Sequence, residues 1–349
     1  GIALPRRPAR ARCGGTGGPA RIALDASAAG RPFDDWLAGG TPPRAVTIDP
    51  EAAFNIIYSS GTTGEPKGIV QSHAMRWAYA VRAARYGYGA DTVTLLATPL
   101  YSNTTLVVFF PTLVFGGSVV LMPKFDAKGW LALAQAHRAT HAMLVPVQYE
   151  RLLALPEFDH HDLSSLRYKF STSAPFAPAL KADVLRRWPG ALAEFYGMTE
   201  GGGSCVLEAQ LHPDKLHTVG RPAPGHEIRL LDEAGREVAA GEAGEVVGHS
   251  PGMMSGYHKR PDATREAEWF DTSGKRFIRT GDVGQRRVVA QHGFEVARVD
   301  VEAARDDHVL APVEQRQEAV GVEAADVAGS DEALAAGVEP LGFARRLGA

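Results

Sequence analysis

Three short stretches of this chain combine residue types that could handle phosphate. The first runs Tyr58-Ser-Ser-Gly-Thr-Thr-Gly-Glu-Pro-Lys-Gly68. Gly61, Gly64 and Gly68 permit tight backbone turns, so amide groups and the hydroxyls of Ser59, Ser60, Thr62 and Thr63 can converge on phosphate oxygens. Lys67 adds a mobile positive charge. The order Gly-x-x-x-x-Gly-Lys-Ser/Thr of a Walker A loop cannot be laid on this stretch. Ser, Thr, Gly and Pro are also what ordinary surface loops are made of, and composition alone does not separate the two readings.

The second stretch, Glu194-Phe-Tyr-Gly-Met-Thr-Glu200, stands at the end of a predicted strand, where ligand-binding loops gather in open α/β sheets. Glu200 offers the carboxylate that a hard cation bridging phosphates requires. A plain strand end with a turn at Gly197 would look the same. The third, Arg276-Phe-Ile-Arg-Thr-Gly-Asp-Val-Gly284, presents Asp282, whose ionised carboxylate can accept two hydrogen bonds at once. Gly-Asp is also a common turn.

These stretches need a frame to hold them. From Asn55 onward, short apolar runs alternate with helical patterns, the rhythm of parallel strands joined by crossover helices. Strands are expected at residues 54–58, 93–98, 118–122, 142–146, 167–171 and 192–196, with helices at 73–86, 127–139, 147–155 and 177–188. This is the reading of a doubly wound sheet. Past Leu211 the pattern changes to short runs (227–231, 244–249, 276–280) with turns at 232–236 and at Ser273-Gly274, which predicts a small β-rich subdomain. From Gln285 the chain is rich in Ala, Val, Arg, Asp and Glu, has no lysine, and shows no order of elements.

Composition narrows the classes of function. The chain of 349 residues is 45% hydrophobic, enough for one large or two medium domains. A net charge of -3 with acids and bases well mixed predicts no broad electrostatic grip on nucleic acid or anionic lipid, so the expected partners are small molecules. Cys13 and Cys205 are the only cysteines, which excludes a disulfide framework and a cysteine-rich metal site and favours a reducing, cytoplasmic setting. The most apolar window, residues 104–122, is broken by Pro111 and Gly116-Gly117, so no transmembrane helix is expected. His160-His161 and His212/His217 lack helical spacing and cysteine partners, and read as solvated loop residues. The Arg/Pro/Gly-rich opening, residues 1–20, is expected to be unstructured or foreign to the fold.

Taken together, the three stretches resemble, almost letter for letter at the first, the signatures of the adenylate-forming superfamily of acyl-CoA synthetases and AMP-binding enzymes. Supporting segments fall in the family's order: Ser171-Thr-Ser-Ala-Pro175, Val219-Gly-Arg-Pro-Ala-Pro-Gly225, and Gly244-Glu245 with Met254-Ser-Gly-Tyr257. The resemblance spans residues 20–284. It implies an α/β fold like the N-terminal domain of an acyl-CoA synthetase, with doubly wound sheets and a small β-barrel-like subdomain. This AMP-binding domain would be partial, over residues 21–284. It further implies that Thr62, Lys67 and Glu200 are catalytic, and that Glu200 holds Mg²⁺. By the same resemblance Ser59, Ser60, Gly61, Thr62, Thr63, Gly64 and Lys67 cradle the phosphates of ATP. Ser173, Ala174 and Pro175, with Glu194, Phe195, Tyr196, Gly197, Met198 and Thr199, line the nucleotide and acyl site, with Tyr196 against adenine and Thr199 on phosphate. Asp282 would hold the ribose.

The implied reaction is ATP-dependent ligation of a carboxylic acid to coenzyme A. The carboxylate attacks the α-phosphorus, pyrophosphate leaves, and a thiol then displaces AMP. Tyr101, Asn103, Phe176 and the glycines 201–203 are candidates for the acyl pocket, although core packing accounts equally well for Tyr101. Relatives carry a mobile small domain with a catalytic lysine after the ribose aspartate. Residues 285–349 do not resemble it, and with no lysine there adenylation is expected to be impaired on the order of a hundred- to a thousand-fold. The tail reads as out-of-frame sequence or a fragment artefact, and few residues precede the phosphate loop, so an unpaired strand edge is expected near Asn55. The competing readings are an ATP- or acyl-binding remnant without activity, an adenylation domain that loads a carrier protein, and a luciferase-like oxidase.

Overall fold

A computed structural model describes residues 22–23, 31–32, 35, 45–59, 66–239, 241–285, 287–288 and 294–295. The chain divides into two compact units, residues 1–48 with 308–349, and residues 49–307. In the first, β1 (Ile22–Ala23) pairs in parallel with β2 (Arg31–Pro32). The expectation for residues 1–20 lies outside the described residues. So does that for the tail, apart from an antiparallel pairing of β17 (Arg287–Val288) with β18 (Phe294–Glu295).

The second unit is built on a seven-stranded sheet. Its parallel part is β5 (Val93–Leu96), β6 (Ser118–Leu121), β7 (His141–Leu144), β8 (Tyr168–Ser171) and β9 (Ala191–Gly197). The antiparallel β10 (Ser204–Glu208) and β11 (Arg221–Pro222) complete one edge, giving the order β11-β10-β9-β8-β7-β5-β6. Alternate residues of each strand enter opposite cores, because successive side chains of a strand point to opposite faces. Leu95, Leu144 and Leu192 pack among α3 (Ala127–Ala136), α4 (Pro146–Leu153) and α5 (Pro178–Arg187). Their neighbours Leu96, Met143 and Ala193 pack on the other side with Ala83, Tyr86 and Val108, from α1 (His73–Ala83), the 3₁₀ turn Ala84–Tyr86 and α2 (Asn103–Val114). Helices therefore cover both faces, and β7 is buried at every position. This is the doubly wound arrangement expected from the sequence.

Helix starts follow local chemistry. Ser72 caps α1 by accepting from the Met75 amide at 3.2 Å, and Asp126 caps α3 by accepting from Gly129 at 2.7 Å. Pro146 and Pro178 occupy first turns, where their missing N–H costs nothing. The apolar window that the sequence reading treated as broken holds α2 and β6. Pro111 sits near the end of α2, and Phe115 closes the last turn onto its carbonyl at 3.0 Å. Among the described residues no helix is long and apolar enough to cross a membrane.

A second sheet flanks the first motif. β3 (Ala53–Ser59) pairs antiparallel with β4 (Lys67–Ser72), and β4 with β14 (Gly256–Tyr257). The sequence reading missed β4 because it follows directly on a glycine-rich stretch and runs into a helix cap. Among the described residues β3 is an edge strand.

The small subdomain corrects one expectation. β12 (Glu227–Leu231), β13 (Ala243–His249), β16 (Arg276–Gln285) and β15 (Glu268–Phe270) form a four-stranded antiparallel sheet in the order β12-β13-β16-β15. Among the described residues no sheet closes into a barrel. Four strands leave two free edges, and one face packs on the loop after β9 rather than on strands of its own. That contact demands glycine: a Cβ on Gly248 of β13 would overlap the carbonyl oxygen of Gly202, and Gly203 adopts φ +103°.

Candidate active site

Residues 60–65 of the first motif, including Ser60, Gly61, Thr62, Thr63 and Gly64, lie outside the described residues. The strands on either side of them are described, with Ser59 directly opposite Lys67 in register. β3 and β4 thus run antiparallel as neighbours on either side of that stretch.

Lys67 extends over the ring of Tyr257, 5.3 Å from its centroid, and the Tyr257 hydroxyl donates to Glu200 Oε1 at 2.9 Å. Glu200 is buried and its backbone is fixed as well, since Met254 N–H donates to its carbonyl at 2.8 Å. Burial, then the Glu200 carboxylate, pushes the Tyr257 phenol well above its usual range, so it stays a donor to Glu200 at neutral pH. The first motif, the second motif and the Met254–Tyr257 segment therefore meet. The second Glu200 oxygen has no protein partner among the described residues. One carboxylate oxygen without a protein partner among the described residues suits Mg²⁺, which keeps several waters and takes its remaining ligands from phosphates.

The third motif is aimed by a β-bulge. The β13–β16 register slips between Glu245 and Val247, throwing Thr280-Gly-Asp282 out of the ladder. Thr280 Oγ1 donates to Val246 O at 2.7 Å and accepts from the Asp282 amide at 3.0 Å. Tyr196, at the carboxyl end of β9, donates its hydroxyl to Asp282 Oδ2 at 2.7 Å. Burial, reinforced by Asp282, raises the Tyr196 phenol far above its ordinary value. Two motifs separated by 86 positions are thus joined by a hydrogen bond.

Beside them lies a cavity of about 100 Å³ beyond the ends of β8 and β9. Ser173, Phe195, Tyr196, Gly197, Met198 and Thr199 line it, while Ala174 and Pro175 do not. Ser173 holds a left-handed φ of 75° and hydrogen-bonds Thr104 Oγ1 at 2.6 Å. A non-glycine residue in that region is a local strain, of the kind that clusters at ligand sites. Thr199 is fixed from behind, its carbonyl accepting from Gln71 Nε2 at 2.8 Å. Glu194 faces elsewhere: its carboxylate pairs with Lys181, with side chains 6% and 2% exposed. Of the acyl-pocket candidates, Asn103 lines the cavity. Phe176 stacks on Tyr149 in the core at 5.1 Å, Gly202 and Gly203 pack against Gly248 of β13 and Gly201 against Gly252, and Tyr101 is 81% exposed, neither in the core nor in the cavity.

The sequence reading passed over Tyr79, Arg82, Ala83 and Tyr86, which form one wall of the cavity. Their spacing of three, one and three places them on one helical face, and that signal was present. Arg76, on the same helix, also went unremarked.

A doubly wound sheet with the second motif at the end of β9, hydrogen-bonded to a carboxylate from the four-stranded antiparallel sheet, is the arrangement of an adenylate-forming enzyme domain. The chain belongs to the AMP-binding enzyme family, whose model matches residues 15–258. It is 30% identical over 247 residues to the medium/long-chain-fatty-acid–CoA ligase FadD8 of Mycobacterium tuberculosis, covering 70% of this chain and 42% of that protein. It is 33% identical over 255 residues to the feruloyl-CoA synthase of an Amycolatopsis species, covering 70% and 52%. Among solved structures it is similar to the amide bond synthetase McbA of Marinactinospora thermotolerans, with TM-score 0.70 and 32% identity over 80% of this chain and 55% of that one. The chain spans about half the length of the curated relatives it matches.

Proposed function

We propose that this chain carries the nucleotide- and acid-binding half of an ATP-dependent carboxylate:CoA ligase, working in the cytoplasm through an acyl-adenylate. The observation that carries the reading is the hydrogen bond from Tyr196 to Asp282, which presents an aromatic face and a diol-accepting carboxylate side by side. In this reading Asp282 holds the ribose, with Tyr196 fixing the carboxylate and packing against the base. Thr62 and Lys67, with the loop amides, gather the phosphates, and Glu200 would hold Mg²⁺, which screens charge between the two reacting anions. The protein's own work is orientation: the acid's carboxylate and the α-phosphorus must meet in line, and no covalent enzyme intermediate is required. Coenzyme A then accepts the acyl group.

A second reading keeps the adenylate but replaces the thiol by an amine, and the similarity to an amide bond synthetase favours it. Calorimetric titration with AMP, followed by ATP–pyrophosphate exchange over aliphatic and aromatic acids, tests the proposal. AMP binding that Asp282→Ala weakens by tenfold or more is expected, about the worth of one bidentate charged contact. AMP binding without any acid-dependent exchange would select the inactive remnant, and no AMP binding would overturn the proposal.

A further inference from the structure

The helix that walls the cavity, α1, carries two arginines, Arg82 lining the cavity and Arg76 outside that lining, and among the described residues neither is paired with a carboxylate. Arg76 is only 5% exposed, and its guanidinium is met by neutral groups alone: Asn55 Oδ1 at 3.0 Å, Asn103 Oδ1 at 2.8 Å and the Gln71 side-chain oxygen. Arg82 contacts His226 Nε2 at 2.9 Å, and both guanidinium groups lie over the Tyr79 ring, at 5.7 and 5.3 Å. Among the described residues neither arginine has a carboxylate within ion-pair distance. Among the described residues Arg82 is also the sole charged side chain lining the cavity. Burying a cation such as Arg76 without a counter-charge is costly, and the half-buried Arg82 leaves a positive charge at the cavity that an anion can meet.

The hydrogen-bond polarity of this wall follows from chemistry. Arginine has only donors, so Asn103 must turn its oxygen to Arg76, and its amide N–H groups have no acceptor among the described residues. For the same reason His226 Nε2 must accept from Arg82, which pins that guanidinium at the cavity. Asn103 and Arg82 thus both meet a ligand as donors, across a cavity otherwise lined by aromatic rings such as Tyr86, Phe170 and Phe195.

Resting on the ligase reading above, we propose that this wall binds a second carboxylate of the acid substrate, so that the chain takes a small dicarboxylic acid. The reacting carboxylate is a poorer candidate for the wall. It loses its charge when it becomes a mixed anhydride, and a guanidinium set against it would stabilise the starting acid over the intermediate. A distal carboxylate keeps its charge throughout and is held equally well in both.

The test uses the full chain saturated with AMP, titrated calorimetrically with succinate against butyrate and terephthalate against benzoate. In each pair the diacid is expected to bind about tenfold tighter or more, as a charge-assisted pair gives. Arg82→Ala should collapse that ratio toward one, and Arg82→Lys should keep part of it, with melting temperatures confirming that both fold. Equal binding of diacid and monoacid, a ratio that survives Arg82→Ala, or no binding of any acid overturns the inference. If Arg82→Ala weakens AMP instead and leaves the ratio, the wall serves phosphate and the inference falls. AMP binding in the same cell separates the outcomes: intact AMP binding without a diacid preference leaves the ligase reading standing, and absent AMP binding ends both.

Discussion

Lys181→Met should be among the most destabilising single substitutions in this domain. In the native chain the Lys181 ammonium pairs with Glu194 where both side chains are nearly inaccessible, and it also donates to Leu216 O at 2.9 Å and Thr218 O at 3.0 Å. Removing it strands a carboxylate in the interior and frees one buried and one part-buried carbonyl. Breaking one partner of a buried pair costs about 3–5 kcal/mol. For a domain of this size that is a fall in Tm of about 10 °C. The double variant Lys181→Met/Glu194→Leu removes both charges and should recover most of the loss, to within about 2 kcal/mol of the native chain, because well-packed apolar replacements of buried pairs are nearly neutral. The sign of the pH response adds a check. Burial already raises the Glu194 carboxyl above its usual value in spite of Lys181. An acid whose folded pKa is raised is destabilising above its unfolded pKa and harmless when protonated, so the Lys181→Met penalty should shrink as pH falls below the raised value. Urea denaturation of the four proteins of this cycle measures all three effects. A Lys181→Met cost under about 1 kcal/mol, or a double variant no more stable than Lys181→Met, would refute the reasoning.

Two other outcomes follow from the site. Tyr257→Phe removes the donor to Glu200 Oε1 and leaves the ring under Lys67, so Mg²⁺-dependent ATP binding should weaken several-fold, by about 1 kcal/mol, while AMP binding without Mg²⁺ is nearly unaffected; paired titrations with and without Mg²⁺ decide it. His226 is pushed down to about 4, first by burial and then by Arg82, with His249 adding to it. A histidine depressed on folding is fully stabilising above its unfolded pKa and loses that stability as pH falls from about 6.5 toward 4. Because the ring is partly exposed, the loss should be only about 1–2 kcal/mol, read as the shrinking gap between native and His226→Gln chains in urea melts at pH 7 and 4.5.

Much of this protein was legible in the residues alone. Strands such as Glu227–Leu231 and helices such as His73–Ala83 declare themselves because a strand alternates every second residue, a helix repeats every third or fourth, and caps and prolines mark the ends. The three motifs were equally visible, since phosphate handling restricts residue types over a few consecutive positions. Other features depend on contacts across tens to hundreds of positions, and no local pattern encodes those. The bulge that aims Asp282 exists only in register with Glu245 and Val247 of another strand. The hydrogen bond from Tyr196 to Asp282 and the chain from Lys67 through Tyr257 to Glu200 join segments that only the folded sheets bring together. The same holds for Glu194, which the sequence places in the second motif and the fold turns onto Lys181. Tyr101 was read as pocket or core and proved exposed, because the residue type fixes a preference while burial is decided by what packs above it. The sequence by itself determined most of the elements, though not β4 or the helix Asn103–Val114, and the chemistry of the three motifs. Only the tertiary structure decided which side chains share a cavity and leave Arg76 and Arg82 without a counter-charge among the described residues, because charge balance is a property of space and not of order along the chain.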